Sequence, residues 1–368
     1  MTENLTDDYG DEQYENELEE SIVKRLDLFS EPDTQFKPLS EAVEGFLEFA
    51  RHPELRVWTG IDPIDEATRG VAPGELMQVN GFAHNGKTVL VVEMLLKNEG
   101  RVGILFTPDE TRTAVLIKLA ASVTGIGAEE IERRVNQEDP TILEVLDDIA
   151  HRFSNLAVFD DNISLHSMDR AYDAVTKQLG PVAFVVFDYA DLLDENMEPA
   201  QKLRALKGWG KDKMVPFILL HQSSKSAGGG GKVVSIESGS HDRGDTGTFI
   251  IGVRRKINML KDQIRVCEEK IENTQNEKMA DRLRDRIIEI ETDLIPRHQN
   301  TITVSLVKNK RPPMRKVDEI DFRLDTETGR LIPMGKKFDD DQEPDMPLPV
   351  TFTHGKSARQ LLAERGNQ

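Results

Sequence analysis

From Leu76 onward the sequence alternates short apolar runs with longer amphipathic stretches, and this alternation restricts the fold more than any other feature. LMQVN, VGILFT, LAVFD, FVVFD and FILLH are too short and too uniformly apolar for surface helices. Between them TVLVVEMLLKN, TAVLIKLAASVTGI, SLHSMDRAYDAVTKQL and AQKLRALKGW show helical spacing. Apolar runs separated by helices imply parallel strands buried on both faces, hence an α/β architecture with a mainly parallel sheet. Two further strand-like runs, TFIIGV from Thr248 and TITVSLV from Thr301, follow without such crossovers.

The segment after the first run reads GFAHNGKT, Gly81 to Thr88. It fits G-x-x-x-x-G-K-[ST], in which backbone N–H groups wrap phosphates, the lysine reaches the terminal pair and the hydroxyl holds Mg²⁺. A strand before and a helix after would aim the free N–H groups of the helix at a bound anion. Gly81, Phe82, Ala83, His84, Asn85, Gly86, Lys87 and Thr88 are therefore the expected nucleotide cradle. Within it Gly81 and Gly86 allow close backbone approach, Lys87 neutralises phosphate charge, and His84 and Asn85 read as loop fillers.

Other strand ends supply the remaining chemistry. Asp188 closes FVVFD, where a carboxylate can hold the Mg²⁺ shell. A lone aspartate there is ordinarily a turn former; the glycine loop upstream favours the metal role. VGILFTPDE ends in Asp109 and Glu110, either of which could polarise water, although Pro-Asp-Glu is also common helix-start chemistry. Gln222, after FILLH, can touch a γ-phosphate on one side and feed a long glycine-rich loop on the other. In that loop Lys225, Lys232 and Arg243 suit sequence-independent contact with the phosphates of a single nucleic-acid strand. After the last run, VKNKRPPMRK sets Lys308, Lys310 and Arg311 at a strand end, where cations could reach the γ-phosphate held by a neighbouring subunit.

Between the last two runs Ile257, Leu260, Ile264, Cys267 and Ile271 step by three and four. After NTQN the stepping returns in Ala280, Leu283, Ile287, Ile290 and Leu294, and Pro296 stops it. This predicts an antiparallel coiled-coil hairpin over 256–295, with Cys267 packed on its seam. That one cysteine excludes an intrachain disulfide and fits a reducing compartment.

The net charge of −19 is unevenly spread: residues 1–35 carry −10 and 338–368 carry −3, leaving −6 for the body. Acid-rich stretches with few apolar residues predict disordered tails at 1–37 and 337–368. The modest body charge does not exclude nucleic acid, because affinity follows the local field where phosphates sit. LSEAVEGFLEFAR, Leu39 to Arg51, predicts a short amphipathic helix, with Ser40 as cap, inside a linker at 38–54. It cannot bury its own face and should dock on the body or on a neighbouring subunit. No apolar run is long enough to span a membrane, no signal peptide opens the chain, and a cytoplasmic protein is expected.

Taken together, these segments resemble the RecA-fold ATPase domain of DnaB-type replicative helicases. WTGIDPIDEATRGVAPGELMQVNGFAHNGKT is similar to that family's entry segment and phosphate loop, FTPDE to its F-S-L-E-M segment, and FVVFDYADLL to its D-Y-L-Q-L strand. LLHQSSKS, ESGSHDRGD and VKNKRPP are similar to later segments in the same order. The resemblance covers about residues 55–335, places the ATPase domain at 55–336, and implies a hydrolase of DNA replication: an ATP- and Mg²⁺-dependent helicase working as a ring, a hexamer, on single-stranded DNA. It implies nucleotide and Mg²⁺ binding by Lys87, Thr88 and Asp188, and γ-phosphate sensing by Gln222. Asp109 falls in the family's catalytic glutamate slot, so the base stays open between it and Glu110. The trans-acting Lys-x-Arg pair maps onto Lys308 and Lys310, with Arg311 adjacent, which leaves the finger open too. The hairpin reads as an insertion; it and the tails are the expected contacts for replication partners. Two alternatives share these residues: a recombination ATPase forming filaments on single-stranded DNA, and a nucleotide-gated adaptor.

Overall fold

The computed structural model describes residues 39, 42–193, 197–222 and 247–334. The chain divides between Arg51 and His52 into two units. In the first, α1 (Ala42–Arg51) carries Val43, Phe46 and Leu47 exposed along one face. Ser40 and both acidic tails lie outside the described residues.

The second unit is built on a nine-stranded sheet. Its strands are β1 (Leu76–Gly81), β2 (Gly103–Phe106), β3 (Leu156–Phe159), β4 (Phe184–Phe187), β5 (Phe217–Gln222), β6 (Phe249–Arg255), β7 (Thr301–Asn309), β8 (Val317–Leu324) and β9 (Leu331–Pro333). The order is β3-β2-β4-β5-β1-β6-β7-β8-β9, parallel as far as β6 and antiparallel beyond it. Alternate residues of the central strands feed opposite faces. Ile104, Phe106, Val185, Phe187, Phe217 and Leu219 enter one apolar cluster. Leu105, Val186, Ile218 and Leu220 enter the other. Two packed faces are why these strands read as unbroken apolar runs instead of alternating ones.

Helices α2 (Asp62–Thr68), α3 (Lys87–Lys97), α4 (Arg112–Thr124), α5 (Ala128–Asn136), α6 (Pro140–Arg152), α7 (Leu165–Leu179) and α8 (Pro199–Asp212) surround this sheet. Between β2 and β3 the chain makes three helices where periodicity indicates one. Asp139 starts the third by accepting from the N–H of Thr141, with Pro140 at the first helical position. β8 and β9 are also additions to the sequence reading. β8 reads VDEIDFRL, and its acids meet cations from beyond β7: Glu319 pairs with Arg254 of β6, and Asp321 with Lys256, the residue that follows β6.

Two helices, α9 (Lys256–Asn273) and α10 (Glu277–Glu289), leave the sheet after β6 and pack against each other. Leu260, Ala280 and Ile290 are buried on their shared face, while Ile264, Cys267, Ile271, Leu283 and Ile287 are half-buried there. Asn276 caps α10 by accepting from the N–H of Met279. The chain then passes through a wider π turn at Ile290–Leu294 and ends its helical course at Arg297, one residue after Pro296.

The entry to the sheet is held by one carboxylate. Asp65 is 7% exposed; its Oδ1 accepts from the N–H and hydroxyl of Thr59 at 2.8 and 2.9 Å, and its Oδ2 from the N–H of Gly60 at 3.0 Å. The spacing of Thr59, Gly60 and Asp65 within TGIDPID therefore has a structural cause here. Replacing Asp65 by Ala strands three donors, and urea unfolding should show a loss of about 3 kcal/mol.

Candidate nucleotide site

The candidate site lies at the carboxyl ends of the parallel strands, where open α/β sheets place their ligands. The loop after β1 fits there because two of its residues lack a Cβ. A Cβ on Gly81 would lie 2.7 Å from the carbonyl oxygen of Val253 in β6, and one on Gly86 would collide with Cδ1 of Ile302 in β7. Gly86 also sits at φ 91°, in the left-handed region. α3 begins directly after it with no side-chain cap, so its first N–H groups have no side-chain acceptor.

The expected phosphate lysine folds back onto its own loop. Lys87 Nζ donates to the carbonyl oxygens of Gly81 and Phe82, both at 3.0 Å. Burial pushes its ammonium below the ordinary lysine value, while the Asp188 and Asp191 carboxylates oppose that shift. Beside it Thr88 Oγ1 donates to Asp188 Oδ2 at 3.1 Å, joining the first turn of α3 to the residue that follows β4, 100 positions away in sequence. Asp188 is itself aligned by its N–H, which donates to the Phe106 carbonyl at 2.8 Å.

The two carboxylates after β2 part company. Both precede α4, whose cap is Thr111, so neither belongs to the first turn of that helix. Glu110 is half-buried; its charge raises the Asp188 carboxyl, and the ammonium of Lys118 on α4 binds it. Asp109 is exposed, and its charge acts on the Tyr189 hydroxyl. Gln222 ends β5 directly beside Gly81 in parallel register and is half-buried. The loop with Lys225, Lys232 and Arg243 lies outside the described residues.

The cations expected after the strand sit at the other end of the sheet, Lys308 within β7 and Lys310 and Arg311 just beyond it. Because β7 runs antiparallel, Asn309 pairs with Phe249 at the amino end of β6, and the N–H of Lys310 donates to the Thr248 carbonyl. Lys308 is buried, and burial followed by the neighbouring Lys310 charge pushes its ammonium down to about 8. Lys207 of α8 adds a third positive charge there. Arg311 is spent within its own fold. It binds the Glu75 carboxylate and the carbonyls of Thr68 and Gly70, and its guanidinium stacks 5.0 Å over the Phe249 ring.

The donor set fits a nucleotide-bound Mg²⁺ better than an ion caged by protein. Thr88 and Asp188 converge as hard oxygen donors. No group of three or more metal-ligating side chains occurs among the described residues, so phosphate and water oxygens would have to complete an octahedron.

Sheet order, glycine loop and strand-end carboxylate define a RecA-like P-loop ATPase fold. Residues 56–230 match the family model of the DnaB-like helicase C terminal domain, the family that the motifs resemble. The chain is similar to a solved structure described as an ATPase domain, with 16% identity, a TM-score of 0.61, and coverage of 82% of this chain and 100% of that one. It is also similar to a DnaB-like replicative helicase solved for its interactions with primase, at 15% identity, TM-score 0.56, covering 86% and 72% of the two chains. No curated protein matches by sequence. No helix among the described residues is long and apolar enough to cross a membrane.

Asp188 gives this site a pH signature. Burial raises its carboxyl from the ordinary 3.8 to about 6, against the opposing hydrogen bond from Thr88. Between those values the folded chain keeps a proton that the unfolded chain has lost, so rising pH removes stability; above about 6 the penalty is constant. In magnesium-free buffer Asp188→Asn should therefore stabilise the protein by on the order of 2 kcal/mol at pH 8, a gain that shrinks below pH 6 in urea titrations.

Proposed function

We propose that the chain is an ATP-driven motor that assembles as a ring, a hexamer, around single-stranded DNA and hydrolyses ATP at subunit interfaces to move along the strand in replication. One observation carries the reading. The glycine loop and the lysines at the carboxyl end of β7 occupy opposite ends of the sheet, so the lysines can meet a phosphate only on another copy. A head-to-tail contact of that kind closes into a ring or winds into a filament. The DnaB-like match over 56–230 favours the ring.

In this reading Lys87 turns from the carbonyls of Gly81 and Phe82 to the phosphates. Thr88 and Asp188 hold Mg²⁺, which neutralises the oxygens of the β- and γ-phosphates when bound. Glu110, steered by Lys118, takes the proton from the attacking water; Asp109, exposed, does not. Lys310, with Lys308 and Lys207 beside it, serves the neighbouring site in place of Arg311, whose guanidinium is held at home. Gln222 links the phosphate to the loop of Lys225, Lys232 and Arg243, which contacts the DNA strand. α1 docks its apolar face on the adjacent subunit, and the hairpin or the tails receive replication partners in the cytoplasm.

The test is an ATPase assay with and without single-stranded DNA, run beside fork unwinding. Lys87→Ala should lose both activities. Glu110→Gln should lower kcat by about 100-fold or more while retaining nucleotide, and Asp109→Asn should stay within about threefold of wild type. A Lys87→Ala protein that unwinds forks normally refutes the motor. Electron microscopy with ATP and single strands separates ring from filament.

A further inference from the structure

Asn85, a filler by its place in the loop, is the point where the inserted hairpin reaches the phosphate cradle. Its side chain is 0% exposed. Its Oδ1 accepts from Nδ2 of Asn258 at 2.8 Å, across 173 positions of sequence. Its own Nδ2 has no hydrogen-bond partner among the described residues. The bond from Asn258 is thus the one that compensates a fully buried amide, and removing it strands both polar atoms.

The donor is held firmly. Asn258 stands in the first turn of α9, two residues after Lys256, whose ammonium binds Asp321 of β8. Asp321 also accepts from the hydroxyl of Thr303 at 2.6 Å, and Arg254, just before the helix, binds Glu319. On the far side of the insertion Ile302 fills the space that a Cβ on Gly86 would take. The cradle is therefore gripped at consecutive residues, Asn85 and Gly86, by the two roots of the hairpin.

We infer that Asn258 is a positioning residue of the phosphate loop, and that through it the inserted hairpin sets how tightly the loop holds a nucleoside triphosphate. The inference rests on the nucleotide reading proposed above. Asn258 touches no reacting atom; it acts by fixing Asn85, and the loop backbone follows. A partner that tilts α9 would change nucleotide affinity by the same route.

The experiment uses the full chain with Asn258→Ala, Asn258→Leu, Asn85→Ala and the double Asn85→Ala/Asn258→Ala. The leucine keeps the side-chain bulk and removes only the amide, which guards against a folding defect in the alanine variant. Hydrogen exchange of the amides of residues 82–88 is followed without nucleotide, and binding of a fluorescent ATP analogue with Mg²⁺ is titrated beside steady-state hydrolysis. Both Asn258 variants should exchange faster in this loop, and their Kd and KM should rise roughly three- to tenfold, with kcat within about twofold of wild type. The double variant should behave like Asn85→Ala alone, because the two residues act through one bond. Unchanged Kd in both Asn258 variants, unchanged exchange at 82–88, or additive effects of the two substitutions would each overturn the inference. Should wild type itself retain no nucleotide, the proposed function fails, and the exchange measurement alone decides whether Asn258 positions the loop.

Discussion

The close approach of backbone to backbone at the carboxyl end of β1 is the constraint on which the site depends. Gly81 meets the carbonyl of Val253, and Gly86 meets Ile302, at distances that no side chain would permit. These contacts seat the loop against β6 and β7, so α3 starts with its free N–H groups at the mouth of the site. They also bring Thr88 within 3.1 Å of Asp188 at the end of β4. The dense packing of Val79, Leu90, Val253 and Val304 around the same strands leaves the loop little freedom to relax.

Charge in this domain is arranged by where the sheet ends. At the carboxyl end a buried lysine and a buried aspartate offset one another, with Glu110 and Lys118 as a second pair beside them. Neither member of the first pair is comfortable: burial disfavours both charged forms, and a ligand that brought its own counter-charges would relieve that cost. At the amino end the imbalance has one sign, with burial and then the charge of Lys310 lowering both Lys207 and Lys308. Arg311 escapes this cluster by pairing with Glu75, the acid of the P-G-E-L turn. That pairing also explains why a turn residue so far from the chemistry is acidic.

Much of this was legible in the sequence because the strands carry two packed faces and the phosphate loop has a fixed glycine geometry. β1 to β7 and the helix after the loop could be read from apolar runs and spacing. The rest depended on tertiary pairing that local pattern does not record. β8 carries Asp318, Glu319, Asp321 and Arg323 in eight residues, a polarity that hides a strand until Arg254 and Lys256 face it. Lys118 gave a weak signal, a single cation within TAVLIKLAAS, but nothing in its spacing names Glu110 as its partner. The choice between Asp109 and Glu110 turns on which carboxylate faces inward, and adjacent residues in a loop share no periodicity that could reveal it.

On the inference drawn above, the helical hairpin between β6 and β7 would give the site a second layer of control without altering its motif. These strands pair antiparallel, and their junction lies at the carboxyl end of β6, the same end as the phosphate loop. Any segment inserted at that junction must have its roots beside the loop, whatever its length. A helical hairpin is well suited to the position: α9 and α10 bury their own seam, so the sheet needs only to anchor the first turn. Lys256 and Arg254 provide that anchorage through β8, and the next side chain facing the loop, Asn258, bonds Asn85. That contact thus follows from topology together with one amide pair, and a segment at a loop on the opposite end of the sheet would have had no such access.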